Sequence, residues 1–120
     1  MNNENPLLKK SYDFALQIVK LYQLITKNKN EYVLSKQLLR SGTSIGANIA
    51  EANGAISKAD FSAKISIAYK ESLETKYWLN LLMDSEYIEV TTAKKLINNA
   101  DVLSKIMFSI LKSTRIKKGA

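Results

Sequence analysis

The stretch Tyr32-Val33-Leu34-Ser35-Lys36-Gln37-Leu38-Leu39-Arg40-Ser41-Gly42-Thr43-Ser44-Ile45-Gly46-Ala47-Asn48-Ile49-Ala50-Glu51-Ala52-Asn53-Gly54 decides how the chain folds. Its residues Leu34, Leu38, Ile45, Ile49 and Ala52 repeat with the three-to-four-residue period of one helix face, which predicts an α-helix over about 32–53. The same stretch places Gly42, Gly46, Ala50 and Gly54 four residues apart, a ribbon of very small side chains. Glycine inside a helix is about 1 kcal/mol less favourable than alanine, so interior glycines call for a tertiary reason. The expected reason is close approach of another helix, from this chain or from another subunit; a hinge is the alternative. Gly54 stands where a left-handed C-terminal cap is expected.

Outward from this stretch the same periodicity recurs. Phe14, Ile18, Leu21 and Ile25 predict a helix over about 7–26, followed by the turn-favouring run Lys27-Asn28-Lys29-Asn30. Ser57 followed by Asp60 suggests a capping box, and Phe61, Ile65, Ala68, Ser72, Leu79 and Leu82 form the apolar face of a helix over about 58–85. Thr91 or Thr92 is expected to cap a last helix over about 92–115, with Leu96, Ala100, Leu103, Met107 and Ile110 inward and residues 116–120 fraying. Helices joined by short linkers must run antiparallel to their neighbours. The predicted fold is therefore all-α: one domain over 1–120, an up-down-up-down antiparallel four-helix bundle with crossing angles near +20°.

Composition narrows the chemistry. A chain of 120 residues suits one core, and a single proline with four glycines leaves too few turn signals for a strand-rich fold. There is no cysteine and no histidine, which removes disulfides, thiol catalysis, the commonest general base and the commonest transition-metal ligand. Neither a metal nor a cofactor is expected. The opening residues Met1–Pro6 lack the basic flank and apolar run of a signal peptide, and no apolar run reaches the length of a membrane span, so a cytoplasmic location without membrane association is expected. Eighteen Lys and Arg against eleven Asp and Glu give a net charge of +7, which suits a polyanionic partner or solubility alone.

A polar face adjoins the apolar stripe of the second helix: Ser41, Ser44, Asn48 and Glu51. The third helix offers Glu71, Glu74 and Trp78 opposite, with Arg40 and Lys70 as counter-charges, so a hydrogen-bonded network that sets helix register is expected. Read as an enzyme, Glu51, Glu71 and Glu74 would be acid–base carboxylates. Carboxylate-bridged metal bundles, however, add a histidine to each pair, and this chain has none. No catalytic residue is assigned. Tyr12, Tyr22, Tyr69, Tyr77 and Trp78 fall at spacings that suit core or subunit-interface packing better than base stacking.

The run Gln37 to Ala52, with Ala47-Asn48-Ile49-Ala50-Glu51 at its centre, resembles the signature of the bacterial four-helix-bundle proteins first found encoded in intervening sequences of 23S ribosomal RNA genes. The segments Ser57-Lys58-x-Asp60-Phe61 and Ile67-Ala68-x-Lys70-Glu71-x-x-Glu74-Thr75-x-Tyr77-Trp78-Leu79 are similar to the family's second block, and the resemblance covers about Ser11 to Thr114. It implies a homopentameric ring of bundles. The family includes the accessory variability determinant of diversity-generating retroelements, which partners a reverse transcriptase and binds nucleic acid. Gly46 stands where many members have proline, Ala52 where glycine is frequent, and Ala55 where some have arginine.

An up-down-up-down bundle brings the start of the first helix, the second linker and the end of the last helix to one pole. Lys9, Lys10, Lys58, Arg115, Lys117 and Lys118 are expected to meet there against Glu4, Asp13 and Asp60. The opposite pole mixes Lys27, Lys29, Lys94 and Lys95 with Glu31, Asp84, Glu86 and Glu89. In a ring of parallel subunits the basic poles would repeat on one face and hold phosphates multivalently. Two readings stay open: an oligomeric nucleic-acid-binding accessory protein beside a reverse transcriptase-like partner, and a protein-binding scaffold whose charge serves solubility.

Overall fold

A computed structural model describes the backbone of residues 5–119 and the side chains of residues 5–114. These residues form four helices and no strand: α1 (Pro6–Lys29), α2 (Leu34–Asn53), α3 (Lys58–Asp84) and α4 (Val90–Gly119).

Local chemistry sets most helix ends. At the start of α1 the Asn5 side chain accepts the Leu8 N–H at 3.1 Å, and Pro6 occupies the first helical position, where a missing N–H is harmless. The helix continues through the expected turn at Lys27–Lys29 and closes at Asn30, whose φ of 52° is left-handed, a region that asparagine tolerates better than most residues. α2 begins at Leu34, two residues later than expected, because the cap is the Glu31 carboxylate. Its oxygens accept the N–H groups of Val33 (3.1 Å), Leu34 (2.9 Å) and Ser35 (2.8 Å), and the Ser35 hydroxyl donates back to the Glu31 carbonyl. Burial alone raises the pKa of this carboxyl; the bonds from Leu34, Ser35 and Val33 together outweigh it and hold the pKa below the ordinary 4.5.

Gly54 follows α2 with φ −103°, so the expected left-handed glycine cap is absent. The left-handed position after α3 is filled by Glu86 (φ 66°): the Tyr87 N–H reaches the Leu82 carbonyl at 2.9 Å and the Glu86 N–H the Met83 carbonyl at 3.0 Å, a Schellman closure. Ser57 accepts the Asp60 N–H at 3.0 Å while Asp60 accepts the Ile56 N–H at 3.2 Å, so the two ends of the α2–α3 turn are tied reciprocally. α4 starts at Val90, which leaves Thr91 and Thr92 inside its first turn, and its helical backbone runs past Arg115 to Gly119.

Each helix packs on its chain neighbours and α4 returns to α1, while among the described residues no diagonal pair of helices brings Cα atoms within 8 Å. The antiparallel sense shows in the order of the cross-helix partners: Asn5 bonds Asn53, while Ser11 faces Gly46 and Ile18 faces Gly42. Likewise Ser72 bonds Ser104 at 2.7 Å and Lys76 meets Asp101 at 3.1 Å. Ile18, Leu38, Ile45, Ala68, Leu79, Leu82, Ala100 and Met107 fill the axis with no exposed surface. Burial of side chains of this size is worth about 1.5–3 kcal/mol for each large aliphatic.

The glycine ribbon divides. A Cβ on Gly42 would sit 2.8 Å from Ile18 Cγ2, and one on Gly46 would sit 3.3 Å from Ser11 Oγ, so both glycines let α2 close on α1 of the same chain. Ala50 is exposed and takes no part. Steps of four residues advance 40° beyond a full turn, so the ribbon rotates away from α1 as it proceeds. Tyr12 and Tyr77 are exposed as well, whereas Tyr69 and Trp78 pack half-buried against the core.

Gly42→Ala is expected to destabilise the protein by about 1–3 kcal/mol in urea unfolding, because the β-branched Ile18 cannot swing aside. Gly54→Ala, whose Cβ meets only the Glu51 carbonyl at 3.8 Å, should stay within about 0.5 kcal/mol of wild type. Equal effects of the two would contradict the packing described.

Glu31 gives a pH signature. Its lowered folded-state pKa contributes stability that is present above the unfolded value near 4.5 and lost as pH falls through the folded value. Glu31→Gln should cost about 1–2 kcal/mol at neutral pH and flatten the acid limb of the stability curve below pH 4.5, measured by denaturant midpoints across pH.

Candidate nucleic-acid interface

The pole built by the start of α1, the α2–α3 turn and the late part of α4 is tied by the Asn5 Nδ2 to Asn53 Oδ1 bond at 3.2 Å. Beside it opens a cavity of about 640 Å³ lined by Ala52, Ala55, Ile56, Lys58, Phe61 and Thr114, among others, so α4 reaches the same end. Ile56 at its edge is 94% exposed.

Of the cations expected here, Lys9 is engaged by Asp13 at 3.3 Å, one helical turn along α1. Lys10 and Lys58 are exposed, with no carboxylate within 4.0 Å among the described residues. Asp60 is taken up by the Ile56 N–H. The side chains of Arg115, Lys117 and Lys118, and Glu4 entirely, lie outside the described residues. Lys112 is one cation that sequence reasoning missed: it is exposed and lies two residues before Thr114 of the cavity wall. The rule that selected Arg115, a cation in the last turns of α4, would have found it.

The polar groups between α2 and α3 form separate pairs. Arg40 donates Nη1 to Glu71 Oε2 at 2.9 Å and Nη2 to Glu74 Oε2, and the Trp78 indole N–H donates to the same Glu74 oxygen at 3.0 Å. Glu51 pairs instead with Lys64 at 2.9 Å, and the hydrogen bond and charge of Glu51 raise the Lys64 pKa. Asn48 donates to the Ser44 carbonyl, Ser44 to the Arg40 carbonyl and Ser41 to the Leu38 carbonyl, so these side chains turn back on their own helix. The predicted network thus contains Glu71, Glu74 and Trp78 with Arg40, while Asn48 and Glu51 stand apart from it. A separation of one turn or more along an antiparallel partner is enough to divide them.

A similar brace ties α3 to α4. Lys105 and Lys76 each reach Asp101 at 3.1 Å and lower its pKa, Lys105 contributing most. Among the described residues no group of three or more acidic side chains is arranged to hold a metal ion. Nor is any helix long and apolar enough to cross a membrane.

These features define a class: an all-α up-down bundle whose carboxylates at the α2–α3 and α3–α4 seams are held by Arg or Lys. The chain belongs to the 23S rRNA-intervening sequence protein family, whose model matches residues 3–109. It is similar to a solved structure from Bacteroides thetaiotaomicron VPI-5482, a protein of unknown function from the S23 ribosomal protein family. The two share 48% identity over 88% of this chain and 98% of that one, with a TM-score of 0.87. No curated protein matches the chain.

Arg40→Gln removes the positive charge that Glu71 and Glu74 share. Because Arg40 is half exposed, the expected loss is about 1 kcal/mol in urea unfolding, shrinking as salt is raised. A loss that did not respond to salt would place the role of Arg40 in packing instead.

Proposed function

We propose that the protein is a non-enzymatic, homo-oligomeric, cytoplasmic accessory protein that binds RNA or DNA through its basic pole, beside a reverse transcriptase-like partner. The observation that supports this reading is that Lys10, Lys58 and Lys112, on the three elements that end at this pole, are exposed and have no carboxylate within 4.0 Å among the described residues. Flexible exposed lysines suit phosphates, which they hold as point charges with little reading of base identity. The carboxylates that an acid–base reaction would use are occupied by Arg40 and Lys64, which supports a non-catalytic role.

Assembly into a pentamer comes from the family resemblance. It is supported by α3, whose outward side carries Ile67, Leu73 and Tyr77 at 42–60% exposure, apolar surface suited to a subunit contact. Parallel subunits would repeat the three lysines around one face and convert a weak patch into a multivalent one. The same apolar surface also favours a second reading, a scaffold that binds another protein and has no nucleic-acid role.

The test is a salt titration of structured RNA and of duplex DNA, followed by fluorescence anisotropy, with native mass measured in parallel. Binding should fall steeply with salt. Lys10→Gln, Lys58→Gln and Lys112→Gln together should reduce the slope by roughly 0.7–0.9 for each phosphate that is no longer neutralised. No binding of either nucleic acid at low ionic strength would refute the reading, and partner pull-down that survives these changes would favour the scaffold.

A further inference from the structure

The contact between α1 and α4 is the least close of the bundle's seams. Along it lie three cavities of about 280, 320 and 180 Å³; the first two share Gln17, and the last two share Leu21, Leu24 and Thr92. Together they form one furrow from Lys10 and Val102 at one end to Lys29 and Glu89 at the other. Twenty residues of α1 at 1.5 Å rise make it about 28 Å long. Leu24 and Val102 stand in it 56% and 41% exposed, above a floor that includes the buried Leu21, Leu96 and Leu103.

The rim is basic. Lys10, Lys20, Lys29 and Lys95 line it with no carboxylate within 4.0 Å among the described residues. Of the two acids in the lining, Asp13 is engaged by Lys9, which leaves Glu89 alone at the far end. Midway, the Asn99 side-chain amide donates to Gln17 Oε1 at 3.2 Å and bridges the furrow with a polar step.

We infer that the α1–α4 furrow is a docking site for an amphipathic helix of a partner protein, with leucine-like residues facing Leu24 and Val102 and acidic residues facing the lysine rim. A strand does not suit it. Both walls are helices whose backbone groups are already paired, so an extended segment would bury its own N–H and C=O groups without partners, whereas a helix satisfies them internally. The occupant is acidic because the rim carries unpaired positive charge on both walls. A nucleic-acid strand fits less well: Leu24 and Val102, the exposed apolar residues of the furrow, are aliphatic, its aromatics Phe14 and Tyr87 are buried and half-buried, and phosphates would be desolvated against leucine. The Gln17–Asn99 pair calls for one polar residue near the middle of the incoming helix, which would fix its register. This site is distinct from the basic pole, with only Lys10 near both.

The probe is a fluorescein-labelled synthetic helix of about 20 residues, with leucines at three- and four-residue spacing and glutamates on the flanks, titrated into the full chain. A scrambled peptide of the same composition keeps the charge and loses the apolar face. The designed peptide should bind at least about tenfold tighter than the scrambled one. Leu24→Glu with Val102→Glu should abolish that difference, and both sites are exposed enough to keep the fold, checked by circular dichroism. Lys20→Glu with Lys95→Glu should weaken the acidic peptide about tenfold and favour a version with lysine flanks. Equal binding of scrambled and designed peptides would overturn the inference. So would a drop in native mass on Leu24→Glu with Val102→Glu, which would make the occupant a second copy, or loss of RNA binding by that variant with peptide binding intact. Lys58→Gln should lower RNA binding and leave the peptide unaffected, so failure at the pole and failure at the furrow are read separately.

Discussion

The bundle depends on how closely α2 can approach α1. Where Gly42 stands the space of a side chain is taken by Ile18, and at Gly46 Ser11 leaves only a tight fit for one. That contact sets the register of α1 against α2, and short turns then carry the register to α3 and α4. Two interior glycines lower helix propensity by about 1 kcal/mol each, an amount offset by the packing they permit. Their consequence is asymmetric. α1 lies tight on α2 and correspondingly open toward α4, where the furrow begins.

Charge is handled differently on the two sides of the molecule. Between α2 and α3, and between α3 and α4, opposite charges meet: Arg40 with Glu71 and Glu74, Lys64 with Glu51, Lys76 and Lys105 with Asp101. These groups tie neighbouring helices together. Around α1, the α1–α4 furrow and the Lys58 pole, cations outnumber acids and several have no partner among the described residues. Part of the molecule's excess positive charge is thus displayed on surface where lysines lack carboxylate partners among the described residues. Membership of the 23S rRNA-intervening sequence protein family and the close structural relative place the fold without supplying an activity. This distribution of charge is therefore the feature that bears most directly on function.

Helix ends show how the chain departs from simple rules. Glycine, the residue best suited to left-handed backbone, sits at Gly54 in an ordinary conformation. Asn30 and Glu86 occupy the left-handed positions instead. At Glu86 the Schellman bonds to Leu82 and Met83 hold the residue there against a conformational preference of about 1–2 kcal/mol. The α2 cap is equally irregular: the N-cap position holds Val33, and the capping oxygens come from the buried Glu31 two residues earlier.

Periodicity alone determined the helical class, the approximate extent of the helices, their inward faces and, through the short linkers, their antiparallel order. Each of these follows from local geometry and chain length, both of which are written in residue spacing. The common interior of Ile18, Leu38, Ile45 and Leu79 follows from the same pattern. Tertiary structure decided what spacing leaves open: that Gly42 and Gly46 pack within the chain while Ala50 faces solvent, that Arg40 bridges Glu71 and Glu74 while Glu51 turns to Lys64, and that Glu31 caps α2. The physical reason is reach. A sequence pattern states which face of a helix a residue occupies, but which opposing atom lies within 3 or 4 Å depends on the rotation and separation of a second helix. Those are set only when the whole core closes.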